Sequence, residues 1–386
     1  MDVPTAPHAP YLALLDSQTE GSPEWRATRA GLATVRLIDE WIHAVADVSS
    51  GRGTAPAADH VAAAYAAIDA VEQGPLRSLL RGVVETTISH WGDRHDAVGT
   101  ALLAYGRRLN NEAAWPLASD VYETFARYAR AIGGDERLPD AHLRLGLTLR
   151  MQGRLYPALD AYARAGALAT VVGNLRVVWL ARVGTANVAR NQGDSIVAAA
   201  ALDAVIAEIT PFVGSMPGAD DVVARATHDR GVIAAESGQL EQAVVLFYRA
   251  LERYTDAYRR ERVLADLAIA FVNLGMLDAG RDALMIVSVT ATTPSLRLLA
   301  DANLMWVAVL TGQETVFERY RRSLAEVPLT GEIAALYEHS VGEARRRFRA
   351  AAPVPVASTW DGAAPSPSVA HVANAVREMR NVVCVG

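Results

Sequence analysis

Apolar residues recur along most of this chain at the i, i+3, i+4, i+7 spacing of a half-buried helix. Alternation of the kind a strand requires is rare. The pattern is sharpest in residues 222–258. There Ala226, Gly231, Ala234 and Ala235 line one face of a first helix, and Ser237-Gly238-Gln239 interrupts it. Leu240, Ala243, Val244, Phe247, Ala250 and Leu251 then form the stripe of a second helix. Glycine at the break is the least costly residue for leaving a helix with positive φ. Two such helices cannot bury their stripes alone, whereas stacked copies can.

The same phase is readable from about Val98 onward. A first copy carries Gly106, Ala118 and Tyr122, and a second Gly146, Gly153, Ala158, Tyr162 and Ala165. A degenerate third has Ala186, Gly193, Ala198 and Leu202. The fourth is the stretch above, the fifth has Ala268, Gly275, Gly280 and Leu284, and the sixth has Gly312, Phe317 and Leu324. This order resembles the tetratricopeptide repeat: Gly231, Gly238, Ala243, Phe247 and Ala250 match it in spacing, while Thr227 stands where the repeat has a tryptophan. Turn glycines 153, 193, 238, 275 and 312 lie 40, 45, 37 and 37 residues apart, against a period near 34 for the repeat, so helices or connections are lengthened here. The resemblance implies an all-α, right-handed superhelix of antiparallel helix pairs.

The flanks differ in character. Residues 1–97 predict an N-terminal helical section without repeat signature, including a long helix from about Ser22 to Val48 opened by the N-cap and proline of Ser22-Pro23-Glu24. The array with its capping helix is expected over 98–349. Residues 350–368 form a Pro/Ala/Ser linker that cannot hold a helix. In 369–386, Val369, Val372, Ala373, Val376 and Met379 share one face, which predicts an amphipathic tail too short to be stable alone in water. It docks on its own body, in the groove or elsewhere, is presented to a partner such as a modifying enzyme, or stays disordered.

Composition narrows the function. A formal charge of −6 argues against a nucleic-acid module. Every basic residue is arginine, so Schiff-base chemistry and a phosphate loop that needs lysine are excluded. Cys384 is the single cysteine, which leaves no intramolecular disulfide and no multi-thiolate metal site. The N-terminus lacks the basic and apolar regions of a signal peptide, and no run reads as a bilayer span. The expected setting is the cytoplasm of a bacterium, with no membrane partner and no cofactor.

In stacked hairpins of this kind the first helices line the inner surface. The residue one step past the first-helix small residue, with others three or four further on, points into the groove. That phase gives Arg107, Asn110 and Asn111, then Arg150, then Asn187, Arg190 and Asn191. Later copies give Arg225 and His228, Arg262 and Asn273, and Asn303 and Trp306. Asparagine is a poor helix-interior residue, yet it recurs here. A ladder of side-chain amides can pair with both the N–H and C=O of an extended peptide, and neighbouring arginines can hold a carboxylate bidentately. Peptide-binding tetratricopeptide regulators of bacterial signalling use asparagines in this way, so the resemblance implies a non-catalytic adaptor or sensor for a peptide or protein segment, without a DNA-binding domain. The plain alternative is solvated groove residues, or bonds between neighbouring helices.

Two constellations suggest chemistry. His90, Asp93, His95 and Asp96 gather metal-capable side chains in seven residues, but the spacing matches no standard site. The alternative they define is a metal-dependent enzyme. His228-Asp229 would be a dyad only if helix neighbours faced the same way, which they do not.

Overall fold

The structure is a computed structural model that describes residues 7–48, 55–91, 97–134, 136–329, 331–349 and 364–384. The described residues form α-helices and one short 3-10 turn, with no strand among them. They divide into two compact units at Gln192 and Gly193.

The first unit contains α1 (Ala9–Ser17), α2 (Pro23–Val48), α3 (Ala58–Asp69), α4 (Pro75–Ser89), α5 (Ala97–Asn111), α6 (Trp115–Ala131), α7 (Leu138–Met151), α8 (Leu155–Val171) and α9 (Leu175–Asn191). The long second helix begins where its cap was expected, with Ser22 Oγ accepting from the Trp25 N–H at 3.1 Å. Helices α1–α9 share one hydrophobic core in which Trp41 stacks on Tyr128 at 4.9 Å. The N-terminal section therefore packs into the same core as the hairpins that follow it. A buried polar latch holds α1 there. His8 Nδ1 lies 2.7 Å from Asp120 and its Nε2 2.9 Å from Asp39, which also accepts from Arg127 at 2.9 Å. Burial alone would lower the His8 pKa, but the two carboxylates outweigh it and raise it to about 9.

The second unit contains α10 (Ser195–Ile209), α11 (Ala219–Glu236), α12 (Leu240–Arg253), α13 (Ala257–Asn273), α14 (Leu277–Thr290), α15 (Pro294–Leu310), α16 (Glu314–Ala325), α17 (Gly331–Arg347) and α18 (Pro367–Cys384). Its first hairpin shows how the repeat signature works. After α11 the chain leaves the helix at Gly238 with φ +74°, and Gln239 N–H donates to Ala234 O at 2.8 Å, which closes the end with a Schellman bond. A Cβ at Gly231 would sit 2.7 Å from the Phe247 ring, so the glycine allows α12 to lie directly against α11. Gly106 stands in the same relation to Tyr122, at 2.6 Å.

Two expectations change. Residues Ser195–Phe212, read as no membrane candidate, are long and apolar enough to cross a bilayer by length and composition alone, with mean hydropathy 1.6. In the fold this stretch packs on α11, and Asp203 pairs with Arg230 at 3.2 Å. The terminal helix begins at Pro367, two residues inside the expected linker.

That helix is part of the second unit's core. Val369, Val372, Ala373 and Val376 of α18 are buried among residues of α12 and α14. Two arginines of the tail, Arg377 and Arg380, face the buried Asp282 of α14 at 3.8 and 3.6 Å. Its start is fixed where the Ser366 N–H donates to Glu241 at 3.3 Å.

Candidate functional site

Which helices form an inner face follows from their packing. In the first unit α7 and α9 abut directly, while α6 and α8 do not. In the second, α13 abuts both α11 and α15, while α18 packs against both α12 and α14. Across α7 and α9, and across α11, α13 and α15, the first helices of the pairs thus meet directly. The tail lies against α12 and α14, the second helices of their pairs.

On the inner face of the first unit the side chains converge on Tyr122. Asn110 Nδ2 donates to its hydroxyl at 3.2 Å, and Asn110 Oδ1 is buried with no hydrogen-bond partner. Burial raises the Tyr122 pKa to about 12, against the nearby Arg144 and Arg107. Arg144, on α7, is the centre of the cluster. Burial pulls its guanidinium below the usual arginine range, and Arg107 and Arg176 add to this against Tyr122 and Asp140. Asp140 raises the Arg144 pKa in return, and it lies 3.9 Å from Arg176. Both Arg144 Nε and Arg150 Nε are buried without a hydrogen-bond partner.

The other predicted residues of this unit divide. Arg107 and Asn111 are exposed, and Arg190 Nη2 reaches Asn191 Oδ1 at 3.5 Å. Arg150 is buried. Asn187 is also buried, and its Nδ2 turns back to Val183 O at 3.2 Å, so that amide N–H is spent within its own helix. The amide ladder is therefore shorter than the sequence suggests.

In the second unit the corresponding face is neutralised. Arg225 pairs with Asp229 at 3.1 Å. His228 bonds Asp266 at 2.8 Å, and Arg262 approaches the same carboxylate at 3.7 Å. His228 is also packed edge-on against Phe247 and Tyr254. Asn273 is exposed at the end of α13, whereas Asn303 is buried and donates back to Leu299 O at 2.8 Å. Trp306 does not line an open groove: α17 lies across α15 and brings His339 to 4.9 Å from the indole ring. The polar capping helix expected after the array covers this end of the face.

Arg144, Arg176 and Asp140 were absent from the sequence reading. A signal for each was present, since Arg144 lies three residues before Leu147, the position one step past Gly146, Asp140 lies one turn before Arg144, and Arg176 lies three turns before Asn187. Of the metal-capable group, Asp93, His95 and Asp96 lie outside the described residues. The His90 carbonyl accepts from Trp41 Nε1 at 2.7 Å at the end of α4. No cluster of three metal-capable side chains occurs among the described residues.

No family model matches this chain, and no curated protein matches it. Solved structures do. NprR in complex with its cognate peptide NprX is similar at TM-score 0.50 and 14% identity, over 81% of this chain and 96% of that one. The apo quorum sensor NprR from B. thuringiensis gives 0.43 at 12% identity, over 80% and 96%. The Rap conjugation regulator of plasmid pLS20 with the Phr* peptide gives 0.45 at 11%, over 84% and 98%. The first of these likenesses shows that this chain has the all-α fold of the NprR–NprX complex's protein.

Proposed function

We propose that this chain is a non-catalytic sensor or adaptor that captures a peptide or protein segment on the inner face of α5, α7 and α9. The observation that carries this reading is the arginine cluster of Arg107, Arg144 and Arg176 beside Tyr122 and Asn110, three guanidinium groups against the carboxylate of Asp140. A buried polar atom left without a partner costs about 1–3 kcal/mol. Asn110 Oδ1 and Arg144 Nε are buried here without a partner among the described protein atoms. A segment that offers an N–H to the asparagine and a carboxylate to the arginines relieves that cost, through charge-assisted bonds of the stronger kind. The fold supports the reading to the extent that NprR, of similar fold, is solved with a peptide.

The test is selection from a display library of random peptides on the full chain, compared with R107Q/R144Q. Selected sequences should carry Asp, Glu or a free carboxy terminus, and their affinity should fall about tenfold to a hundredfold in the double variant, as expected for one charge-assisted contact at Arg144 beside a weak one at the exposed Arg107. Selected peptides that bind both proteins equally would remove the site from this face.

A further inference from the structure

A second cleft lies in the other unit and has no part in the peptide reading. It has a volume of about 660 Å³, within the range typical of small-molecule sites. Its floor is apolar, from Leu251, Leu264 and Ile286 of the body, and its outer wall is the last turns of the tail, with Met379 and Val382. Because α18 lies between α12 and α14 and follows their direction, from Ser366 beside Glu241 at the start of α12 to Val383 beside Thr290 at the end of α14, three helices end at this cleft. Helix C-termini carry partial negative charge. Three converge here against one N-terminus, that of α13.

The charged groups follow the same sign. Arg260 of the floor is already occupied, donating to the carbonyls of Leu251 and Tyr254 at 2.8 and 3.0 Å and so capping the end of α12. Glu261 is likewise engaged, accepting from Thr292 N–H and Oγ1 at 2.9 and 2.8 Å. The rim carboxylates Glu252 and Glu378 have no ion pair among the described residues. Burial, then Glu252 and Glu378, raise the pKa of Tyr248 between them.

We infer that this cleft binds an amphiphilic cation, a molecule with an apolar body for the floor and one positively charged group for Glu252 and Glu378. An anion of the same shape would meet the two carboxylates Glu252 and Glu378, since Arg260 and Arg297 already serve the ends of α12 and α14. Since Met379, Val382 and Glu378 belong to α18, the ligand bridges the tail to the body and holds the terminal helix in place.

Octyltrimethylammonium and octyl sulfate, which share one alkyl chain, test this by calorimetric titration of the full chain below their micellar concentrations. The ammonium should saturate a single site, and the sulfate should bind at least about tenfold more weakly, the size expected for two partly exposed charge contacts. The E252Q/E378Q variant, checked for unchanged helical circular dichroism, should lose the preference. The ammonium should also slow amide exchange in residues 378–383. Equal binding of both probes, no binding of the ammonium, an unaltered preference in the variant, or unchanged exchange in the tail would each overturn the assignment.

Discussion

Replacing Val372 and Val376 together by aspartate should release α18 while the rest of the second unit stays folded. Both valines are buried, at 3% and 0% exposure. Full burial of a valine contributes about 1.5–3 kcal/mol, so truncating the pair alone forfeits roughly 3–6 kcal/mol. Two carboxylates forced into the same apolar seat add several more. Docking of α18 is a small difference between this burial and the ordering of 18 residues, each costing about 1–2 kcal/mol in backbone entropy. It cannot absorb such a loss. The free helix would also unwind, because isolated helices of this length are marginal in water. Trypsin reports the outcome at Arg377 and Arg380, which the docked helix protects. Cleavage that follows the open population changes tenfold per 1.4 kcal/mol until the tail is fully open, so the variant should be cut faster than the wild type, at the rate of a free segment. Cleavage at the same rate in both proteins would refute the reasoning, as would rapid cleavage of the wild type.

Further outcomes follow from the core and the latch. Gly231→Leu should destabilise the second unit by about 1–3 kcal/mol in urea denaturation, because its side chain must displace the Phe247 ring; unchanged stability would deny the close approach of α11 and α12. The His8 latch should make stability depend on alkaline pH. Its folded pKa, about 9, exceeds the ordinary value of 6.5, so its contribution is complete below pH 6.5 and is lost as pH rises through 9. His8→Ala should remove that loss between pH 7 and 10, measured by urea midpoints, and a variant with the same pH dependence as the wild type would count against the latch.

The repeat signature was legible because its physics is local. Gly231 and Phe247, or Gly106 and Tyr122, are 16 residues apart in the chain and form one hairpin, so their spacing states their contact. The apolar face of the tail was equally plain. What it packs against was not, because the seat consists of α12 and α14, more than eighty residues earlier, and of the buried Asp282 that its arginines face. The His8–Asp120 pair spans 112 residues and leaves no periodic trace. Among the residues chosen by phase, the structure shows the use of each side chain, which phase does not state. Asn187 and Asn303 satisfy their own helices, and Arg225 and Arg262 are met by carboxylates on the same face. Trp306 has the correct phase, yet α17 covers it. Arg144 was missed because the reading started at the small residue and stepped only forward.

Amide exchange of the full chain, with and without a peptide selected on it, tests the central claim most directly. The account predicts slowed exchange in α5, α7 and α9, lost in R107Q/R144Q, with α11, α13 and α15 unchanged. Protection confined to the second unit, or absent from both, would contradict it.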